Sequence, residues 1–472
     1  MKEADQQNLL PTIFVILGAT GDLMRRKLVP ALFHLYQENK LPALFQVVGF
    51  SRDELSEEEF RESIRNMVKA RVKSEDEQRI NKFARFFRYQ QGFFEEQQGY
   101  EALGSLLGRQ DGEWRLCANK LFYIAASPQF YETIFRGLAN SKLAEPCSPE
   151  EGWTRIIVEK PFGKDLKTAQ KLDKLLGKLF QEEQIYRIDH YLGKETVQNI
   201  LAFRFSNSFL NPAWNATGIE RIHISLFEKR GIGERGKFYD GIGALRDVGQ
   251  NHMLQLVALF CMENPGVFDA DAVRENRASI LKSLKILRSR AKIESMAKRA
   301  QYKGYTQEEG VEKNSKTETY FRIETALEHK NWKGVPIILE SGKCLTENKV
   351  EVAVTFRHPT PCLCLGEEHY KNVLHYRIQP QEGIHISFWV KEPGDAMELQ
   401  QKDFMFNYKD AFEGHAISDA YERLLFSVIR GDQTLFVSTQ EVMAEWKFAD
   451  PIIRAWQKEA SSMGIYKKNS MP

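Results

Sequence analysis

The sequence predicts a doubly wound α/β domain followed by an α+β domain with a large, mainly antiparallel sheet. Three observations point there. Short apolar runs alternate with helical patterns up to about residue 190, a glycine turn follows the first apolar run directly, and period-two alternation takes over further on. At 472 residues the chain exceeds one ordinary core. We divide it into residues 1–190 and residues 191–472.

Thr12–Leu17 (TIFVIL) reads as a buried strand, and Pro30–Tyr36 as a helix with Pro30 in its first turn. Gln46–Phe50, Leu121–Ala126 and Arg155–Val158 read as further buried strands. Strand–helix alternation of this kind implies parallel strands joined by right-handed crossovers. Beyond residue 190, Gly193–Phe205 and Asp247–Met262 read as helices. Glu220–Phe227, Thr319–Ala326, Val350–Phe356, Leu374–Ile378 and Gly383–Val390 alternate as strands with one covered face. The polar, basic stretch Ala291–Lys316 has few apolar anchors and reads as a helix end and a surface loop.

Hydrophobic residues make up 42% and charged residues 28%, which are globular values. Lys and Arg total 66 against 64 Asp and Glu, so a nucleic-acid or membrane-surface partner is not expected. No apolar run is long enough to span a bilayer, and the N-terminus lacks a signal-peptide pattern. Six cysteines are too sparse for a disulfide framework, which points to a reducing, cytoplasmic setting. Cys362 and Cys364, with His358 and His369 nearby, lack zinc-knuckle spacing, and the alternation in CLCLG fits a strand end. No metal is expected.

Four segments carry chemistry. The first strand runs into Gly18-Ala19-Thr20-Gly21-Asp22-Leu23, then Arg25 and Arg26. Glycine after a strand and before a helix lets backbone N–H groups approach a pyrophosphate. The second strand ends in Ser51-Arg52 instead of the acid that binds a ribose hydroxyl, which suits a 2′-phosphate and favours NADP over NAD. Glu159-Lys160-Pro161 ends a buried strand, where open α/β sheets bind ligands, and Pro161 restricts Lys160. Arg187-Ile-Asp189-His190-Tyr191-Leu-Gly-Lys194 concentrates ionisable groups before a helix. There His190, Tyr191 and Lys194 can converge on one oxyanion. Arg246-Asp247-Val-Gly-Gln-Asn-His252 opens an apolar helix, so His252 can be a general base held by a carboxylate, either Asp189 or Asp247.

Together, GATGDLMRRKL, EKPFG, RIDHYLGKE, DVGQNH, WKGVPIILESGK and YRIQP closely resemble the glucose-6-phosphate dehydrogenase family, in the family's order and over nearly the whole chain. The resemblance implies a Rossmann coenzyme domain, then a larger α+β domain whose sheet forms a dimer interface. It makes His252 the general base and Asp189 its partner. It assigns His190, Tyr191 and Lys194 to the sugar phosphate, and Lys160 to a place between substrate and coenzyme. Glu228 and Asp247 would hold sugar hydroxyls, with Lys343 and Gln379 as further substrate contacts. Gly18, Ala19, Thr20, Gly21, Asp22, Leu23, Arg25, Arg52 and Tyr131 would bind NADP. A homodimer or homotetramer is implied.

Some positions depart from the family pattern. Asn348 stands where a second basic residue is usual, Gly249 is small for its place, and Glu340 stands where members with a second, structural NADP carry arginine. That extra site is not expected. Two other readings compete: a Rossmann-type sugar oxidoreductase with the same EKP segment, and a nucleotide-binding regulator without turnover. The first does not explain RIDHYLGKE together with QNH, and the second would be favoured by loss of the motif His or Lys, both of which are present.

Overall fold

The computed structural model describes residues 10–72, 76–147, 152–358, 361, 371–413, 417–458 and 463–472. Strands β1 (Thr12–Leu17), β2 (Phe45–Ser51), β3 (Phe87–Gln91), β4 (Asn119–Ile124), β5 (Thr154–Glu159) and β6 (Ile185–Ile188) pair in parallel in the order β6-β5-β4-β1-β2-β3. Every residue of β1, β2 and β4 is buried, as helices on both faces require. The order reverses between β1 and β4, and the carboxyl ends of these neighbours open a ligand crevice.

The second sheet comprises β7 (Ile219–Phe227), β8 (Ala297–Tyr302), β9 (Tyr320–Thr325), β10 (Ile337–Gly342), β11 (Lys349–Phe356), β12 (Val373–Gln379), β13 (Gly383–Lys391), β14 (Leu399–Asn407) and β16 (Gly464–Tyr466). Its pairs are antiparallel except β10 with β7 and β16 with β8. One face packs on the apolar helix Leu254–Cys261, which is buried throughout.

The chain then returns to the first domain. Strand β15 (Phe436–Val437) pairs antiparallel with β6, and Tyr421, Leu424, Leu425 and Val428 of helix Ala420–Arg430 join the core of the first sheet. The first domain thus draws on residues far beyond 190.

Three expectations need correction. Ala291–Lys316 is more than a helix end and loop: helix Arg290–Met296 leads into strand β8 before a mostly exposed loop. The strand buries a polar residue because that residue is bonded: Gln301 Nε2 donates to the carbonyls of Ser315 and Thr317. The expected helix from Asp247 begins as a π-helix, Leu245–Met253, before turning α-helical. Cys117 and Cys147 form a disulfide. They are 30 residues apart, but they precede the adjacent strands β4 and β5, which brings their Cα atoms to 6.2 Å. Cys362, Cys364 and His369 lie outside the described residues.

Candidate active site

The crevice begins at Gly18, whose φ of +95° favours glycine. A Cβ there would stand 2.7 Å from the carbonyl oxygen of Ala125, just past β4, so the two strand ends close on each other only through glycine. The Thr20 hydroxyl is 2.8 Å from the Ser51 hydroxyl, which ties the turn to the end of β2. Arg52 and Arg25 are exposed beside it, and Asp22 pairs with Arg26 at 2.7 Å. Ala19 is buried under the turn and Leu23 packs on the core. Tyr131 is buried, and its hydroxyl donates to the Glu159 carbonyl at 2.9 Å, so its tie is to the end of β5.

Lys160 leaves β5 directly below this turn. Its ammonium donates to the Asp247 carbonyl at 2.8 Å and to His252 Nε2 at 2.9 Å. The other ring nitrogen, Nδ1, lies 2.5 Å from Asp189 Oδ1. Lysine can only donate, so the ring carries its proton on Nδ1 and gives it to Asp189. The geometry resolves the choice of carboxylate: Asp189 holds His252, and Asp247 faces Lys160 and Lys343 at 4.0 and 3.6 Å.

Electrostatics follow from this packing. Burial pushes His252 below its ordinary value, and Lys160 adds to the effect against the opposing pull of Asp189. Burial and the neighbouring His252 push His190 well down. Burial would raise the Asp189 carboxyl, but His252, His190 and Lys160 hold it at about 2. The result at neutral pH is an uncharged imidazole against an ionised carboxylate, the arrangement of a general base.

Around the pair stand the other expected residues. The Tyr191 ring stacks on His252 at 4.1 Å, and His190 meets it edge-on at 4.7 Å. The Lys194 ammonium lies 4.7 Å from the Tyr191 ring centre and donates to Gln379 Oε1. Lys343 pairs with Glu228 at 2.5 Å. Lys160, Asp189, His190, Tyr191, Lys194, Glu228, Asp247, His252, Lys343 and Gln379 are therefore one connected constellation. Asp189, His190 and His252 offer ligand atoms within 4.8 Å of one another. Both nitrogens of His252 are already bonded, one to an ammonium, which opposes a cation there.

Sequence reasoning missed Tyr421, and it placed Glu159 at the strand end without giving it a role. Tyr421 stacks over His190 at 6.4 Å, and its hydroxyl donates to Glu159 Oε1 at 3.0 Å, beside that of Tyr123 at 2.5 Å. The helix of Tyr421 carries an ordinary amphipathic pattern, so no local signal marked it.

A doubly wound dinucleotide crevice facing a buried imidazole–carboxylate pair, with cations on the far side, defines a nicotinamide-dependent oxidoreductase for an anionic substrate. Residues 15–199 match the family model for the glucose-6-phosphate dehydrogenase NAD binding domain, and residues 201–472 that for its C-terminal domain. The chain belongs to the glucose-6-phosphate dehydrogenase family. It is 38% identical over 468 residues to the glucose-6-phosphate 1-dehydrogenase of Chlamydia muridarum, covering 95% of this chain and 91% of the relative. It is 39% identical over 469 residues to that of Aggregatibacter actinomycetemcomitans, covering 95% and 93%. A solved glucose-6-phosphate dehydrogenase in complex with its substrate glucose-6-phosphate superposes with a TM-score of 0.90 at 33% identity, over 98% of this chain and 96% of that one.

Proposed function

We propose that this chain catalyses the NADP-dependent oxidation of D-glucose 6-phosphate at C1 to 6-phospho-D-glucono-1,5-lactone, the first step of the pentose phosphate pathway. The observation that carries this is the contact of His252 with Asp189 and Lys160. It supplies a neutral, oriented base at the point where β5 delivers a lysine from the coenzyme crevice.

The chain fits NADP. Gly18 keeps clear the space that a Cβ would fill, and Arg25 and Arg52 stand where a 2′-phosphate needs cations. Gly18, Ala19, Thr20, Gly21, Asp22 and Leu23 would hold the coenzyme through the turn, with Tyr131 beneath it. When bound, the nicotinamide accepts the hydride from C1.

His190, Tyr191 and Lys194 grip the phosphate, Glu228 and Asp247 hold sugar hydroxyls, and Lys343 and Gln379 complete the wall. The C1 hydroxyl replaces the Lys160 ammonium at His252 Nε2, which takes the hydroxyl proton. Asp189 then faces the imidazolium that forms and stabilises it. Phosphate binding away from C1 supplies orientation at the reacting carbon.

The chain acts as a homodimer or homotetramer in the cytoplasm. Exposed Phe404 and Met405 on the outer strand β14 support an assembly through the second sheet. Among the described residues no helix is long and apolar enough to cross a membrane. The deciding assay follows nicotinamide reduction with glucose 6-phosphate or glucose, and NADP or NAD. Turnover of glucose 6-phosphate with NADP is expected; equal turnover of free glucose, or none of the phosphate, refutes the reading.

A further inference from the structure

One buried carboxyl has no place in the chemistry above. Glu445 lies on helix Thr439–Lys458, which packs against the π-helical segment that carries His252. It is 2% exposed. Its Oε1 accepts from Gln255 Nε2 at 2.7 Å and its Oε2 from Gln250 Nε2 at 3.4 Å. These two glutamines flank His252 in the chain, and both are buried. A single carboxyl therefore bridges side chains on either side of the residue that must be aimed. The tie spans the change from π-helical to α-helical bonding, with Gln250 before it and Gln255 after it.

We propose that Glu445 is a positioning residue for His252, acting through Gln250 and Gln255. It acts as the uncharged acid. Burial, with the negative charges of Glu441 and Asp189 nearby, pushes the Glu445 acid well above the usual carboxylate range against the opposing effects of Gln255 and Arg277. Arg277 is itself committed to Glu441 at 2.8 Å. Asp189 Oδ2 and Gln255 Oε1 are buried acceptors with no hydrogen-bond partner among the described residues, so a further negative charge beside them would go uncompensated. An uncharged Glu445 also adds no second negative charge beside Asp189. The basicity of His252 is then set by its burial and by Asp189, Lys160 and Asp247, without a further charge from Glu445.

This inference rests on His252 being the general base, and the experiment separates the two. Glu445→Leu and Glu445→Gln are compared with the parent for kcat, KM for glucose 6-phosphate, melting temperature, and the pH at which kcat/KM falls on the acid side. Glu445→Leu is expected to lower kcat about 10- to 100-fold by misaligning the ring, with KM changed less than about twofold. Glu445→Gln keeps shape and neutrality, so it is expected to recover most of that loss with the acid limb unmoved. A limb displaced to lower pH in Glu445→Gln shows that the parent residue is charged and overturns the proposal. Parental kcat in Glu445→Leu overturns it too, as does an equal loss of kcat/KM through KM alone. If Glu445→Leu does not fold, Gln255→Met carries the test: reduced kcat at retained KM is expected, and parental kcat refutes. A parent inert on glucose 6-phosphate defeats the functional reading; an active parent with an indifferent Glu445 defeats only this inference.

Discussion

His252 Nδ1 lies 2.5 Å from Asp189 Oδ1, and 63 positions separate the two residues in the chain. Both are almost wholly buried, so the bond is shielded from water. In that setting the carboxylate selects the tautomer and leaves Nε2 as the only basic atom of the ring.

Replacing that atom should remove the base without emptying the site. His252→Asn is expected to reduce kcat by about 10²–10⁴-fold, the usual worth of general-base catalysis. Steady-state kinetics with binding measured separately check this. Retained turnover with intact binding assigns the base elsewhere.

The acid side of the pH profile has a definite sign. His252 and His190 are both held below 6.5 in the fold, so the folded chain binds fewer protons than the unfolded chain just below that pH. Their stability contribution is complete above 6.5 and is lost as pH falls through the depressed folded values. Asp189, lowered from 3.8 to about 2, adds a second loss across that interval. Melting temperature should therefore decline on acidification below 6.5, and kcat/KM should keep its plateau to a pH lower than an ordinary histidine allows. An acid limb at or above 6.5 contradicts the buried, neutral imidazole.

Lys194→Ala tests the phosphate grip. The ammonium stands over the Tyr191 ring and donates to Gln379, not to His252, so its loss should raise KM for glucose 6-phosphate about tenfold or more and change kcat far less. An unchanged KM removes Lys194 from the site.

Coenzyme choice turns on an exposed residue just past the end of β2. Arg52→Ala should raise KM for NADP and leave KM for NAD nearly constant, a narrowing of preference on the order of tenfold. The parallel measurement of both coenzymes is the check; an undiminished preference for NADP assigns the 2′-phosphate to other residues.

Much of this was legible in one dimension because it is local chemistry. Strand TIFVIL with its glycine turn, the EKP segment and RIDHYLGKE each carry their meaning within about ten residues, since turns, helix starts and strand ends are short-range objects. The π-helical opening at Leu245 was not legible, because a helical pattern does not distinguish i→i+5 from i→i+4 bonding. The strand AKRAQY was read as a loop because it mixes polar with small apolar residues, and the acceptors that make burial of Gln301 tolerable, the carbonyls of Ser315 and Thr317, lie outside the strand. The Cys117–Cys147 bond was missed because adjacency of β4 and β5 is a property of the sheet and not of the spacing between cysteines.

By itself the order of residues determined the two-sheet plan and the coenzyme turn and marked the candidate site residues, because these follow from hydrophobic period and from motifs of short reach. Tertiary structure decided which carboxylate holds His252, that Lys160 faces its other nitrogen, and that Tyr421 and Glu445 close in from the far end of the chain. Those are contacts between segments from about 60 to more than 200 residues apart. They exist only because packing two buried sheets against their shared helices brings those segments together.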